Sequence, residues 1–382
     1  MSRYAALAIF LPLLATEADA QTKPAKAKNV ILFLADAGGI PTLNAASWYA
    51  YGAPQKLHVQ SWPHVGLSDT SPSVGFVTDS ANGMTAIVTG VKTRNGVISQ
   101  GPEAVRGTSD GRPLKTILEY AEDHGLLTGV VTDQPITDAT PAACYAHSND
   151  RSKWADIFSQ AFEPRFGDGV DVLIGAGRKE IETQLTARGS SIAALAEKGR
   201  RPVLASVEEA SADRKRPIVV GDAIDVRAAA LRALSELQNS RKGYFLMVEW
   251  DSHTPDPKAG LDHVVALDRL VKEIESKVDL KDTLLIFTAD HSFALRTRGE
   301  GSAGAILDGY DEWKASGVKA RTVQLKSLVV DDAHTGEEVA AMALGAGSER
   351  VSGFFPNTRL FHVMMDAWGF KADDPVAGPS GR

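Results

Sequence analysis

Apolar residues in this chain fall in short unbroken runs separated by longer stretches of helical period. The clearest runs are Asn29-Val-Ile-Leu-Phe-Leu-Ala-Asp36, Leu126-Leu-Thr-Gly-Val-Val-Thr132, Val172-Leu-Ile-Gly175, Tyr244-Phe-Leu-Met-Val-Glu249 and Thr283-Leu-Leu-Ile-Phe-Thr-Ala-Asp290. A strand that is apolar at every position is covered on both faces, as in a parallel sheet between helices. Between the runs, Lys179 to Glu197, Val226 to Leu237 and Leu261 to Val278 place Ile, Leu, Val and Ala at helix-like intervals. Arg201 to Val220 reads as a short strand or loop region. No internal repeat, low-complexity tract or linker breaks the alternation. It predicts an α/β fold: a single doubly wound domain with a central, mostly parallel β-sheet flanked by helices on both faces. The domain would span residues 29–370, with a short tail over 371–382.

In such sheets the carboxyl ends of the strands gather on one edge, where ligands bind. Asp36, Asp138, Glu249 and Asp290 all stand at or just past strand ends, and His291 adjoins the last of them. One acid in that place is a helix cap; four of them, with the pairs Asp290-His291 and Asp251-Ser-His253, read as a metal-binding rim. With His334 these pairs form the mixed nitrogen and oxygen set that suits Zn²⁺. Asp138, Thr140 and Glu249 form an all-oxygen set that suits Mg²⁺, and Asp36 can bridge the two. Two cations about 4 Å apart stabilise both the attacking and the leaving oxygen of an in-line displacement.

Ser80 precedes a small apolar run, Ala81 to Val88, that ends at Gly90 and reads as a helix. Alone, a serine there is a cap. Beside cations it becomes a nucleophile, and the helix N-terminus becomes a seat for phosphate. The planar fork of Arg151 can hold two phosphate oxygens. His147 reads as structural, His58, His64, His124, His263 and His362 as structural or surface residues, and Lys92 as a solvated helix end.

Composition adds limits. The 382 residues are 43% hydrophobic and 23% charged, ordinary for a globular chain. Met1 to Ala20 has a basic start at Arg3, a short apolar core and an Ala18-Asp19-Ala20 cleavage pattern, the signature of a signal peptide. The expected location is periplasmic or secreted, with Gln21 to Lys28 a flexible leader. Cleavage removes Arg3, Glu17 and Asp19, so the net charge of −7 becomes −7 − (+1 − 2) = −6. That mild acidity argues against nucleic acid as a dedicated partner, which calls for a basic face. No other long apolar segment suggests a membrane span. Cys144, the one cysteine, precludes an intrachain disulfide and reads as a buried small residue.

In this order the motifs resemble the alkaline phosphatases, secreted metal-dependent phosphomonoesterases with a mostly parallel sheet. The resemblance runs from about Lys28 to Gly369. It rests on Val77-Thr-Asp-Ser-Ala81 with Thr89-Gly-Val-Lys-Thr93, on Asp138-Ala-Thr-Pro-Ala-Ala143 with Ala146-His147 and Arg151, on Thr288-Ala-Asp-His291, and on His334-Thr-Gly-Glu337. It implies two Zn²⁺, one Mg²⁺, small phosphate-ester substrates and a possible homodimer. It also implies that Ser80 is the nucleophile of a phosphoserine intermediate, which water then hydrolyses, and that Arg151 clamps the phosphate. Asp36, Asp290 and His291 would hold the zinc that activates Ser80. His334 would help hold the second zinc, and Asp36, Asp138, Thr140 and Glu249 the magnesium.

Two departures stand out. The family usually has Asp-Gly-Met-Gly after the first strand, where this chain has Asp36-Ala-Gly-Gly39. The family's zinc-binding acid normally lies five residues beyond the magnesium glutamate, with a histidine four further on. Here Glu249-Trp-Asp251-Ser-His253-Thr-Pro-Asp256 is compressed, and Asp251 and His253 are preferred to Asp256. The residues between His291 and His334 include an insertion with no assigned role. A phosphodiesterase of the same superfamily, or a non-catalytic phosphate- or metal-binding derivative, is the alternative. A sulfatase is not, because Ser80-Ala-Asn-Gly83 lacks the formylglycine-forming motif.

Overall fold

The structure is a computed structural model that describes residues 26–210, 216–299 and 305–373. The expected signal peptide lies outside the described residues. The strands in chain order are β1 (Asn29–Asp36), β2 (His64–Asp69), β3 (Leu127–Pro135), β4 (Val172–Ala176), β5 (Val203–Leu204), β6 (Ile218–Val220) and β7 (Tyr244–Asp251), then β8 (Thr283–Thr288), β9 (Ser292–Thr297), β10 (Thr322–Gln324), β11 (Leu328–Thr335), β12 (Val339–Gly345) and β13 (Gly353–Pro356). Ten of them form one sheet in the order β13-β2-β12-β8-β1-β7-β3-β4-β6-β5. All its pairings are parallel except those of β12, which runs against both β2 and β8. The sheet is mostly parallel and mixed with helices, as the alternation predicts. A smaller sheet, β10-β11-β9, is built largely from the insertion after His291.

Burial explains why the apolar runs became central strands. Along β1, Val30, Leu32 and Leu34 enter one hydrophobic cluster while Ile31, Phe33 and Ala35 enter another on the opposite face. All six side chains are fully buried. An alternating strand could cover only one face, so the continuous pattern selects the middle of the sheet.

Helix boundaries depart from the periodic reading where capping chemistry intervenes. The stretch 179–197 is two helices, Arg178–Thr186 and Ile192–Lys198. Gly189 between them has φ +72°, and the Ser191 side chain caps the second by accepting from the Ala194 N–H. The helix expected from Leu261 begins four residues earlier, at Pro257, because Asp256 caps it. Asp256 also accepts from the Tyr310 hydroxyl and pairs with Lys314. It is a structural acid that ties the insertion to the main domain.

Glu122 illustrates the electrostatic cost of this packing. It is nearly fully buried, accepting from the Gly169 N–H at 3.1 Å and from the Thr128 hydroxyl at 3.3 Å. Burial, reinforced by neighbouring acids, pushes its carboxyl up to about 8 from an ordinary 4.5. Between those values the folded chain binds the proton and the unfolded chain does not. Stability is therefore full below the lower value and falls as pH rises towards the upper one, by up to about 1.4 kcal/mol per pH unit. Glu122→Gln should flatten this alkaline loss, seen as a smaller drop in melting temperature than wild type over the same pH interval. Parallel melting curves for the two proteins would show that Glu122 does not titrate there.

Candidate active site

Sheet register assembles the acidic rim. Asp36 stands beside Asp251 at the ends of β1 and β7, and Leu34 stands beside Glu249. On its other side Leu34 pairs with Thr288, so Asp290 falls level with Asp36 two residues further along. The turn after β1 is tight: Gly39 lies so close to Ser292 that a Cβ there would sit 1.9 Å from the hydroxyl oxygen.

Ser80 occupies the first turn of the helix Ser80–Thr89, which Gly90 ends in a left-handed cap. Asp79, not Ser80, caps this helix, accepting from the Asn82 N–H at 3.1 Å. The serine hydroxyl is thereby released from backbone duty, and its oxygen lies 3.2 Å from His291 Nε2. Gly83 lets the helix press against the rim, since a Cβ there would be 2.5 Å from the Asp290 carbonyl oxygen.

Three imidazoles complete the centre. His291 Nδ1 donates to the Ser292 carbonyl at 3.1 Å and His334 Nδ1 to the Thr78 carbonyl at 3.0 Å. His253 Nδ1 faces the Asp251 carboxylate at 2.6 Å. A carbonyl oxygen can only accept, so in the neutral imidazole Nδ1 of His291 and of His334 carries the proton and Nε2 the lone pair. One ligand atom from each of the three histidines lies within 4.8 Å of the others. The same holds for Asp36, Asp290 and His291, and for Asp36, Asp251 and His253.

Charge balance says what this arrangement suits. Burial, then the Asp290 charge, raises the Asp36 carboxyl well above its ordinary value; burial, then Asp36, does the same to Glu249. Burial pushes His291 down to about 4. Oδ1 of Asp36, Oδ2 of Asp290 and Oε1 of Glu249 are buried without hydrogen-bond partners. His291 Nε2 lies 3.3 Å from that Asp36 oxygen and 3.7 Å from that Asp290 oxygen. Unpartnered carboxylate oxygens facing an imidazole lone pair fit a divalent cation, which removes the repulsion and satisfies the orphaned oxygens of Asp36 and Asp290.

The remaining expected residues are placed as follows. Glu249 Oε2 accepts from Thr132 at 2.5 Å, and the Thr140 hydroxyl reaches Asp36 Oδ2 at 3.5 Å. Arg151 donates to Asp79 at 3.2 Å and to Asp138 at 3.1 Å, so the Asp138 carboxylate is engaged by the guanidinium. Burial opposes the Arg151 charge, but Asp138 and Asp79 outweigh it and hold the group protonated. His147 is structural, bonded to Glu119 and to the Ser99 carbonyl, and Cys144 is buried and free. Lys92 is not a solvated end, because it pairs with Asp69 at 2.6 Å.

Two participants went unread in the sequence. Asp133 directly follows the apolar run ending at Thr132, and it accepts from the Asp251 N–H at 3.0 Å. His263, read as a structural or surface residue, lies 2.7 Å from the Asp251 carbonyl oxygen through Nδ1. The strand-end position of Asp133 was the available signal. His263 lies inside a helix and had none.

A sequence model of the family described as alkaline phosphatase matches residues 27–203 and 224–328. The chain belongs to the alkaline phosphatase family. It is a hydrolase of phosphoric monoesters with a metal-binding centre. Streptomycin-6-phosphate phosphatase of Streptomyces griseus is 29% identical over 94% of this chain and 94% of its own length. The tissue-nonspecific alkaline phosphatase of Rattus norvegicus is 26% identical over 92% and 88%. Among solved structures, Thermus thermophilus alkaline phosphatase superposes with a TM-score of 0.76 at 22% identity, covering 96% of this chain and 97% of that one. The enzyme from the Antarctic bacterium TAB5 does so at 0.71 and 21%, covering 91% and 100%.

Compared with that family's usual Asp-Gly-Met-Gly, this alkaline phosphatase carries a strained residue. Ala37 is fully buried with φ +61°, the left-handed region that suits glycine. Ala37→Gly should change stability by less than about 1 kcal/mol, since relief of strain is offset by chain entropy and a lost buried methyl. Ala37→Val should cost more than about 2 kcal/mol, because a β-branched side chain cannot adopt this conformation cheaply. Thermal melts of the three proteins check this; a valine variant as stable as wild type would show that the turn readily changes shape.

Proposed function

We propose that this phosphatase works through a phosphoserine at Ser80. The observation that carries the reading is the Ser80 hydroxyl, freed from capping by Asp79 and lying 3.2 Å from His291 Nε2 beside unpartnered carboxylate oxygens. Ser80 Oγ attacks phosphorus, the bond from phosphorus to the ester oxygen breaks, and the alcohol leaves. Water then attacks the phosphoserine, releasing inorganic phosphate and restoring the hydroxyl.

Asp36, Asp290 and His291 would hold one Zn²⁺, and His253 and His334 a second. Glu249, Thr140, Asp36 and Asp138 would serve a Mg²⁺, with Asp138 shared with Arg151. Cations held there would supply Lewis acidity to stabilise the serine oxygen and the leaving oxygen. The chain's own residues do the positioning. Asp79 and Asp138 hold the Arg151 fork beside the serine helix and take at most three of its five N–H groups, leaving donors for phosphate oxygens. The helix N-terminus adds backbone N–H groups and a partial positive charge. The signature in Met1 to Ala20 supports export before this chemistry begins. The relative named for streptomycin 6-phosphate puts phosphorylated sugar-like alcohols among the esters to test.

Phosphate release from an aryl monoester at alkaline pH, after chelation and after restoring Zn²⁺ with Mg²⁺, tests this. Ser80→Ala should lose roughly 10³-fold or more in kcat under restored metal. Turnover close to wild type would refute the serine nucleophile. Faster cleavage of the matching diester would refute the monoester preference.

A further inference from the structure

His253 and His334 meet in a way that assigns a role to Asp251. Their Nε2 atoms lie 3.3 Å apart. Two nitrogen ligands, each about 2.0–2.1 Å from a tetrahedral ion, stand about 3.3–3.4 Å apart, so this spacing is that of two ligands on one cation. In its neutral form His334 has its lone pair on Nε2, because Nδ1 donates to the Thr78 carbonyl. His253 Nδ1 and Asp251 Oδ1 are separated by only 2.6 Å. That is a charge-assisted hydrogen bond, too short for two donors sharing a metal. In the neutral imidazole that a cation would bind, a proton on Nδ1 leaves the lone pair on Nε2, facing His334.

Asp251 is itself held from several sides. Its Oδ1 also accepts from the His253 N–H at 3.0 Å, and its Oδ2 faces the Gln134 amide at 3.4 Å. Its backbone is fixed by Asp133 at the N–H and by His263 at the carbonyl. Trp250 packs against the His263 ring, 5.8 Å between centroids, and Phe293 meets the His253 ring edge-on at 5.1 Å. The carboxylate is thus anchored as an orienting group for the imidazole, the common partner of a metal-bound histidine.

We propose that Asp251 ligates no metal: it is a positioning residue that takes the Nδ1 proton of His253 and thereby turns His253 Nε2, with His334 Nε2, towards the second cation. The inference rests on the reading of this edge as a metal centre. The competing arrangement uses Asp36, Asp251 and His253 Nδ1 as ligands, with Nδ1 lying 3.8 Å from Asp36 Oδ1. It requires that Nδ1 give up the proton it shares with Asp251.

Co²⁺ loading of the whole chain distinguishes the two, read as ions per chain and as the visible ligand-field spectrum. Asp251→Asn can still accept the Nδ1 proton through its amide oxygen. It should keep the wild-type ion count at saturation and the wild-type spectrum. Asp251→Ala should keep the count but bind one ion about 10–100-fold more weakly, and His253→Ala should lose one ion. Loss of an ion or a changed spectrum in Asp251→Asn, with wild type loading normally, overturns the proposal alone. A wild type that takes up no ion overturns the metal reading and the proposal with it. Should Asp251→Asn not fold, Zn²⁺-loaded wild type decides by proton NMR. A slowly exchanging downfield imidazole N–H, absent in His253→Ala, is expected, and its absence from wild type overturns the proposal.

Discussion

Buried negative charge is the constraint on which the rest of this molecule depends. Asp36, Glu249 and Asp290 crowd one sheet edge at zero to a few per cent exposure, and each keeps a carboxylate oxygen without a hydrogen-bond partner. Bare carboxylates in that setting repel one another and lack water, so they must share protons or surround cations. The imidazoles support the second solution, because His291 and His334 direct their N–H groups outward to carbonyls and their lone pairs inward. The serine helix and the Arg151 fork are arranged around a centre whose negative charge bound cations would offset.

Much of this was legible in the chain because it follows from strand ends. An apolar run buried on both faces must lie inside a parallel sheet, and register does the rest: Asp36 beside Asp251, Glu249 beside Leu34, Asp290 level with Asp36. Features fixed by chemistry across the fold were not legible. Which of Asp79 and Ser80 caps the helix depends on geometry that spacing alone does not reveal, and so does the capture of Asp138 by Arg151. Strand β2 is short and interrupted by Gly66, the edge strand β13 is four residues beginning at Gly353, and β12 is alanine-rich, so none carries the continuous pattern that marked β1. Asp256, ranked below Asp251 and His253 as a candidate ligand, is engaged instead by helix capping and by its ties to Tyr310 and Lys314.

The compressed segment after Glu249 shows how a shortened loop is stiffened locally. Asp133 from β3 takes its N–H, His263 from the following helix meets its carbonyl, and Asp251 turns inward to His253. Each contact uses a residue already fixed by regular structure, so the loop has little freedom left to lose when a ligand arrives.

The strand order also governs when the protein can become itself. β1 emerges first, yet both its neighbours, β7 and β8, begin more than two hundred residues later, at Tyr244 and Thr283. During synthesis this strand, buried on both faces in the finished sheet, has no permanent partner until most of the chain has been made. Pairing across such separations is slow, since loop closure precedes its reward. The nascent chain therefore passes through a long interval in which Asn29 to Asp36 needs protection from aggregation, and the cluster of Asp36, Asp290 and His291 is complete only after β8 has docked.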